Sequence, residues 1–554
     1  MSDVAPGLRA RVEAWIAIDP DPGTRAEVQG LLEAGDAAAL QERFSGRLAF
    51  GTAGLRGTMG GGPTRMNRLV VRQSAAGIAR YLRAEVEGAA DAGVVVANDA
   101  RHLSAEFAAD CADVLCAHGI TVVRASEPVP TPVGVFAVRH LGCAAGIVVT
   151  ASHNPASDNG LKLYMGDGAQ IVPPVDGMVA AAIDAVVADG VVVAGHRPTA
   201  PIEAMEPEVV ASYRAATLAR VPAPASPIRI AMTATHGVGG ALLLDLLTAA
   251  GHAEVHPVTS QQQPDPDFPT VAFPNPEEPG VTDLLGELMG DVGADVGLAL
   301  DPDADRVAVL APIGASGTRQ LTGDDVGALL ADWLLRSVTS GPGRLVVSSV
   351  VSSSLLARIA EAHGARHAET LTGFKWLSRP AIEDPAAVQV LAYEEAIGYA
   401  IGPDVRDKDG VSAALAVASM VSAAAADGRT ILDDLDGLHR RHGAHVTDNF
   451  SLRDEAAGGG ARRAALVERL IAAPPDRVGS LAATGIRALA ADVLRIELES
   501  AVRVIVRPSG TEPKLKCYCE AVEAVPDGDV SAARARARAR LADVRAGLTE
   551  LLLS

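Results

Sequence analysis

Three carboxylates at alternate positions, Asp301, Asp303 and Asp305, stand in the run DPDADR. Packed this closely they repel one another unless a cation neutralises them, and an all-oxygen donor set suits magnesium or calcium. The same spacing opens an EF-hand loop, which needs Gly at its sixth position and Glu at its twelfth. Those positions here are Arg306 and Pro312, so the EF-hand reading fails. A plain acidic, solvated turn is the alternative. It accounts poorly for a cluster that sits directly on the apolar run DVGLAL (Asp295 to Leu300) and closes on an arginine. Three protein ligands would leave an octahedral ion room for a phosphate oxygen.

The run TASHNP, Thr150 to Pro155, carries Ser152 at the end of the apolar segment GIVVT. A serine at a strand end is expected to be exposed and able to act as nucleophile or phosphate carrier. The chain lacks a G-x-S-x-G elbow at this serine, which argues against an α/β-hydrolase. His153 reads equally as a base or as a structural hydrogen-bonding group, and Lys162 as a cation or proton donor beside a phosphorylated serine. RPSGTEPK, Arg507 to Lys514, concentrates phosphate-binding groups: Arg507, the hydroxyls of Ser509 and Thr511, backbone N–H groups around Gly510, and Lys514. Such a loop can form an anion nest, with arginine adding bidentate contacts. FGTAGLRGTMGGG, Phe50 to Gly62, is Gly-rich but has no Walker GK[ST], which leaves Arg56 as a further candidate phosphate contact. YEEAIGY, Tyr393 to Tyr399, offers two adjacent carboxylates. Neighbours in one loop seldom bracket a glycosidic bond from opposite sides, so recognition of sugar hydroxyls is the better reading.

Each of these motifs follows a short apolar or β-branched run that ends abruptly in a small, polar, Gly/Pro-marked loop. The runs are GIVVT, DVGLAL, VQVLA (Val388 to Ala392) and VRVIV (Val502 to Val506). They read as buried strands, and in α/β folds ligands gather beyond the carboxyl ends of such strands. Four strand ends spread over 554 residues predict an α/β chain of four domains facing one central cleft, about 150 residues per domain being a usual size. The expected divisions are residues 1–210 with the serine loop, 211–322 with the aspartate loop, 323–445 with the YEEAIGY loop and 446–554 with the RPSGTEPK loop. The first three are expected to be similar mixed α/β domains, and the last a smaller α+β domain. Strands are also predicted at Gly93 to Asp99, Ile228 to Thr235 and Leu345 to Val351, and a helix at Ser104 to Gly119 with Ser104 as N-cap. Linkers are expected at Val221 to Pro227, Ser340 to Gly343 and Glu455 to Arg463. The ARARARARL run near Arg534 to Leu541 reads as a solvated helix.

Hydrophobic residues make up 48% of the chain but aromatics only 3%, so Ala, Val, Leu and Gly must do the packing. A net charge of −20 disfavours nucleic acid and anionic membranes as partners. Phosphates must then be held in a local basic pocket within an acidic body. Five scattered cysteines fit reduced thiols, and Cys517 and Cys519 read as ordinary buried thiols, not as a zinc site. The N-terminus shows no apolar leader, and the stretch Val411 to Ala426 is too short and Ala/Ser-rich to span a bilayer, reading instead as a buried helix. A cytoplasmic location is expected.

Together the motifs, in this order, resemble the α-D-phosphohexomutase family of phosphoglucomutases and phosphomannomutases over roughly Phe50 to Glu520. FGTAGLRG, FPNPEEPG, LTGFKW and RDKDG look most like the phosphoglucomutase 2 and phosphopentomutase-type subgroup. The resemblance implies that Ser152 is a phosphoserine whose phosphate completes a Mg2+ shell of Asp301, Asp303 and Asp305. It implies that Arg56 and Lys162 flank the phosphoryl group, that Arg306 and Lys375 line the sugar side, and that Glu394 reads sugar hydroxyls. Arg507, Ser509, Gly510, Thr511 and Lys514 would hold the distal phosphate. The implied substrates are glucose or mannose 1- and 6-phosphates, with a bisphosphate of the glucose 1,6-bisphosphate type as activator. Phosphopentomutase and sugar-phosphate phosphatase are the alternatives. One departure stands out: Ala396 occupies a position where many hexose enzymes carry a serine. The resemblance also implies that the fourth domain moves during turnover.

Overall fold

The computed structural model describes residues 4–50, 54–190, 199–314, 317–453, 459–508 and 514–553. The strands form four sheets in chain order. The first contains β1 (Leu55–Thr58), β2 (Val94–Asn98), β3 (Val122–Arg124), β4 (Ala145–Val149), β5 (Asp158–Met165) and β6 (Ile202–Ala204), in the order β1-β5-β4-β2-β3-β6. The second contains β7 (Arg229–Thr233), β8 (Glu254–Pro257), β9 (Val296–Leu300), β10 (Val307–Ile313) and β11 (Gly317–Gln320), in the order β11-β10-β9-β7-β8. The third contains β12 (Arg344–Ser349), β13 (Arg366–Thr370), β14 (Val388–Glu394) and β15 (Gly398–Ile401), in the order β13-β12-β14-β15. The fourth, wholly antiparallel, contains β16 (Ala444–Arg453), β17 (Arg477–Val478), β18 (Leu481–Ala490), β19 (Val493–Leu498), β20 (Val502–Pro508) and β21 (Lys514–Glu523). Three mixed α/β domains and a C-terminal α+β domain result.

The first three sheets share one device. β4, β9 and β14 each lie parallel to a neighbour on one side (β2, β7 and β12) and antiparallel to the next strand in the chain on the other. The serine, aspartate and YEEAIGY motifs are therefore hairpin loops, not the crossover loops of a purely parallel sheet. RPSGTEPK likewise joins the antiparallel β20 and β21. The likeness of the domains, invisible as a sequence repeat, lies in this strand–loop–return unit.

One apolar cluster runs continuously through the first three domains, from Val95 to Leu438, and includes the buried helix Gly410–Ala426. The fourth domain has its own core, with Val504, Cys517, Cys519 and Leu548 among its members. A small apolar cluster, including Val350, Val351, Ile505 and Tyr518, joins it to the third. Among the described residues no single helix is long and apolar enough to cross a membrane.

Local details differ from expectation in four places. Ser104 is the first residue of helix Ser104–Ala117, not its cap; Leu103, in left-handed backbone, precedes it, and Ser104 Oγ donates to Asp99 Oδ1 at 2.6 Å. Ser340 to Gly343 is a turn within the third domain, between helix Gly323–Ser337 and β12. Residues 459–463 begin helix Gly459–Ala472, so the expected linker is partly helical. Helix Val530–Leu553 is not simply solvated: Ala533, Ala537, Leu541 and Val544, spaced four and three apart, share one face and bury it against the sheet, while the arginines fall between them.

Candidate active site

Ser152 follows β4 with φ 53°, a left-handed conformation unusual for a residue with a Cβ. Arg101 fixes its loop: Nη2 donates to the carbonyls of Ser152 and Asn154, both at 2.6 Å, and Nη1 donates to that of Pro155 at 2.8 Å. The Ser152 N–H donates to Thr150 Oγ1 at 2.8 Å. The serine is not exposed as expected. It is 2% accessible, because the aspartate loop of the second domain closes over it, and Ser152 Oγ donates to Asp301 Oδ2 at 3.0 Å.

Asp301, Asp303 and Asp305 are fully buried at the end of β9, with one oxygen from each within 4.8 Å of the others. Ala304, at φ 59°, makes the tight turn that gathers them. The first domain supplies their partners. Thr131 Oγ1 donates to Asp303 Oδ2 at 2.8 Å, and Lys162 Nζ donates to Asp303 Oδ2 at 2.8 Å and to Asp305 Oδ2 at 2.7 Å. Lys408 of the third domain adds a second cation, 3.2 Å from Asp305 Oδ2. Burial, then the charges of Asp303 and Asp305, raises Asp301 well above the usual carboxyl range. Burial would raise Asp303 as well, but Lys162 and Thr131 outweigh it and hold Asp303 down. The same two carboxylates outweigh the desolvation of Lys162 and keep its ammonium protonated. Asp303 Oδ1 and Asp305 Oδ1 remain buried without a hydrogen-bond partner. Unpartnered carboxylate oxygens converging among three acids are the donor set that a hard divalent cation requires.

His153 Nδ1 lies 3.2 Å from Ser152 Oγ. Burial, then Arg306 and Arg56, lowers this imidazole far below its ordinary range, so it is neutral at pH 7. Arg56, on β1, donates from Nη1 to Asn154 Oδ1 at 3.1 Å. Arg306 leaves the aspartate loop toward the third domain, where its Nη1 donates to the Ala396 carbonyl at 3.3 Å and lies 3.6 Å from Glu277 Oε2. An antiparallel bridge between Arg306 and Gly398 joins the two loops through their backbones.

Glu394 is the last residue of β14 and is 8% exposed; the motif expected as a loop is a hairpin whose turn carries Ile397 at φ 50°. Ser152, Ala304 and Ile397 thus place one left-handed non-glycine residue in each of the three loops. Lys375 is buried with its Nζ 5.4 Å from the Trp376 ring. Arg507 reaches from the fourth domain to hydrogen-bond Thr372 Oγ1 in the LTGFKW loop. Lys514 opens β21, while Ser509, Gly510 and Thr511 lie outside the described residues. The structure brings Ser152, Arg56, Lys162, the three aspartates, Arg306 and Glu394 together from three domains. Thr131, Arg101 and Lys408 were missed by the sequence reading; only Lys408, in the RDKDG motif, carried any signal.

A serine facing a buried acid cluster, with cations from three domains and an arginine-bearing loop on a fourth, defines a phosphotransfer enzyme. The chain belongs to the phosphoglucomutase/phosphomannomutase family: residues 47–188, 212–314 and 322–436 match its alpha/beta/alpha domains I, II and III, and residues 461–537 its C-terminal domain. A Schizosaccharomyces pombe protein named "Probable phosphoribomutase" is 36% identical over 558 residues, 93% of each chain. A Staphylococcus aureus phosphoglucomutase is 31% identical over 501 residues, covering 86% of this chain and 90% of that one. The solved structure of a phosphoglucomutase/phosphomannomutase family protein from Burkholderia thailandensis shares the fold, with TM-score 0.70 and 22% identity over 91% of this chain and 96% of that one. The protein is a phosphomutase.

Proposed function

We propose that this phosphomutase interconverts sugar 1-phosphate and 6-phosphate, with glucose or mannose as the sugar, through a phosphorylated Ser152 and a bisphosphorylated sugar. The observation that carries the reading is Ser152 Oγ held 3.0 Å from Asp301 Oδ2 in a pocket where Lys162 spans Asp303 and Asp305. Phosphoryl transfer is catalysed chiefly by positioning and charge neutralisation. Asp301, Asp303 and Asp305 would hold Mg2+, which when bound neutralises phosphoryl charge and polarises its oxygens. Phosphoserine would give its phosphoryl group to the free hydroxyl of the sugar phosphate. The bond to Ser152 Oγ breaks, a bond to the sugar oxygen forms, and Arg56 and Lys162 steady the charge and assist return of a proton to Oγ. The bisphosphate would then turn about and return its other phosphoryl group to Ser152. Arg306 and Lys375 would line the sugar, Glu394 would accept from its hydroxyls, and Arg507, Ser509, Gly510, Thr511 and Lys514 would grip the phosphate not in transfer. A bisphosphate of the glucose 1,6-bisphosphate type would act as activator by phosphorylating Ser152.

A second reading, a pentose 1-/5-phosphate mutase, is favoured by Ala396, which removes a hydroxyl from the sugar loop, and by the phosphoribomutase named among the relatives. One assay separates the two: turnover of glucose, mannose, ribose and deoxyribose 1-phosphates with a trace of the matching bisphosphate. A hexose 6-phosphate product, lost with EDTA and restored by magnesium, is expected. Faster turnover of ribose 1-phosphate would select the pentose reading. Inorganic phosphate as the sole product would overturn both.

A further inference from the structure

Where the chain crosses from the third domain to the fourth, a second polar cavity shares no residue with the site above. Helix Ile431–His442 ends at Gly443, whose φ of +97° turns the chain into β16. Beside this turn a cavity of ≈ 110 Å³ is lined by Arg319, Thr322, His439, His445, Arg534 and Arg538, among others. Arg319 and Thr322 precede helix Gly323–Ser337, His439 belongs to the third domain, and the other three belong to the fourth.

Two of these side chains present donors with nothing to donate to. His439 and His445 are 2% and 7% exposed. Arg534 Nε donates to His439 Nδ1 at 3.1 Å, which leaves the imidazole proton of a neutral His439 on Nε2. That Nε2–H and the Nη2 of Arg534 are buried donors without partners, whereas His445 gives its Nδ1 proton to Glu520 Oε1 at 3.1 Å and keeps Nε2 as an acceptor. A buried unpaired donor is costly to leave unmatched, so two beside one cavity are a standing demand for an acceptor. The field has the matching sign: burial, then Arg534, His445 and Arg319, holds His439 down to about 3. Asp324 and Asp325 also line the cavity, and they and the neighbouring carboxylates are already engaged. Asp325 pairs with Arg319 at 3.2 Å, Asp436 with Arg534 at 2.7 Å and Glu520 with Arg503 at 2.8 Å. Asp324 accepts from the Ser353 N–H and Tyr393 Oη, and burial raises its carboxyl to about 6. The cavity is large enough to admit one tetrahedral oxyanion.

We propose that this hinge cavity binds a phosphate group, as inorganic phosphate or as the terminal phosphoryl of a small metabolite, with His439, Arg534 and Arg538 as donors. Because its walls come from both domains, a bound anion favours the docked arrangement over any in which they part. The test is calorimetric titration of the full chain with inorganic phosphate in an Arg507→Gln background, which weakens binding in the catalytic cleft. Phosphate binding is expected to persist there and to weaken about tenfold on adding Arg538→Gln, with Arg538→Lys recovering part of it. An unchanged melting midpoint in these variants shows that the fold is kept. A parallel titration with glycerol 3-phosphate assigns the source: tighter binding of the ester points to a metabolite, weaker binding to free phosphate. Loss of all phosphate binding with Arg507→Gln alone, or Arg538→Gln and His439→Phe titrating like their parent, would overturn the proposal.

Discussion

Ser152 shows what a residue type means once its surroundings are known. Its left-handed backbone costs roughly 1–3 kcal/mol, tolerated because Arg101 and Thr150 over-determine the loop. Ala304 and Ile397 carry the same strain in the other two loops, so each hairpin keeps a fixed aim. The relay role predicts that Ser152→Ala lowers kcat to below about a thousandth, since removing a covalent carrier leaves only binding and charge. Label from a 32P sugar bisphosphate should no longer enter the protein, while the melting midpoint stays near the wild-type value. Turnover surviving at wild-type rate would dismiss the relay. Ser152, Lys162 and the three aspartates were legible because nucleophile, cation and acids stood beside abrupt strand ends. Thr131 and Arg101 were not: each acts on groups tens of residues away or more, in contacts made only by folding. The burial of Ser152 was hidden for the same reason, since the loop that covers it belongs to another domain.

At the scale of elements, the loops meet only because certain backbones approach without an intervening side chain. Gly410 begins the buried helix of the third domain, and a Cβ there would stand 2.4 Å from the Arg306 carbonyl oxygen. Gly323 is as tight, its Cβ falling 2.1 Å from the Glu395 carbonyl. Both contacts are with backbone, which cannot swing aside as a long side chain would. Gly410→Ala must therefore push the aspartate loop away from the third domain. Overpacking of this kind costs about 1–3 kcal/mol, and an ångström of misplacement at a reacting centre costs on the order of 10²-fold in rate. The expected result is a lower melting midpoint with a disproportionate fall in kcat; full activity would show that the Arg306 contact does not position the site. The seven predicted strands lie within a residue or two of β2, β4, β7, β9, β12, β14 and β20; the others were not read from the sequence. The antiparallel returns among them escaped because the same pattern of buried residues serves a parallel crossover or a hairpin. Turn glycines such as Gly410 could be read as helix breakers or caps but not as points of contact between domains.

For the whole molecule, the decisive asymmetry is that one apolar cluster threads the first three domains, the first of which has a further core of its own, and does not enter the fourth. The fourth is held by a small apolar cluster and by a polar latch centred on Glu520, which accepts from Ser353 Oγ at 2.6 Å and Ser354 N–H at 2.9 Å and pairs with Arg503 at 2.8 Å. Such a joint can loosen without unfolding either side, which is what the proposed exchange through a bisphosphate would need. Burial alone would raise Glu520, but Arg503, together with hydrogen bonds from His445 and Ser353, outweighs it and holds the carboxyl at about 2, against 4.5 for a free glutamate. Its folded value lies below its unfolded one, so the stabilisation is complete above about pH 4.5 and is lost as pH falls toward 2. A difference of that size is worth roughly 3 kcal/mol at neutral pH. Glu520→Gln should therefore destabilise the chain at pH 7 by about that amount, leaving Arg503 short of a counter-charge, and the gap to wild type should narrow by about half in denaturant titrations taken from pH 5 to pH 3. Because the latch holds the domain that carries Arg507 and Lys514, the variant should also raise KM for the sugar phosphate more than it lowers kcat. A stability gap that does not change with pH, or a KM equal to wild type, would mean that Glu520 fills space at the joint without fastening it.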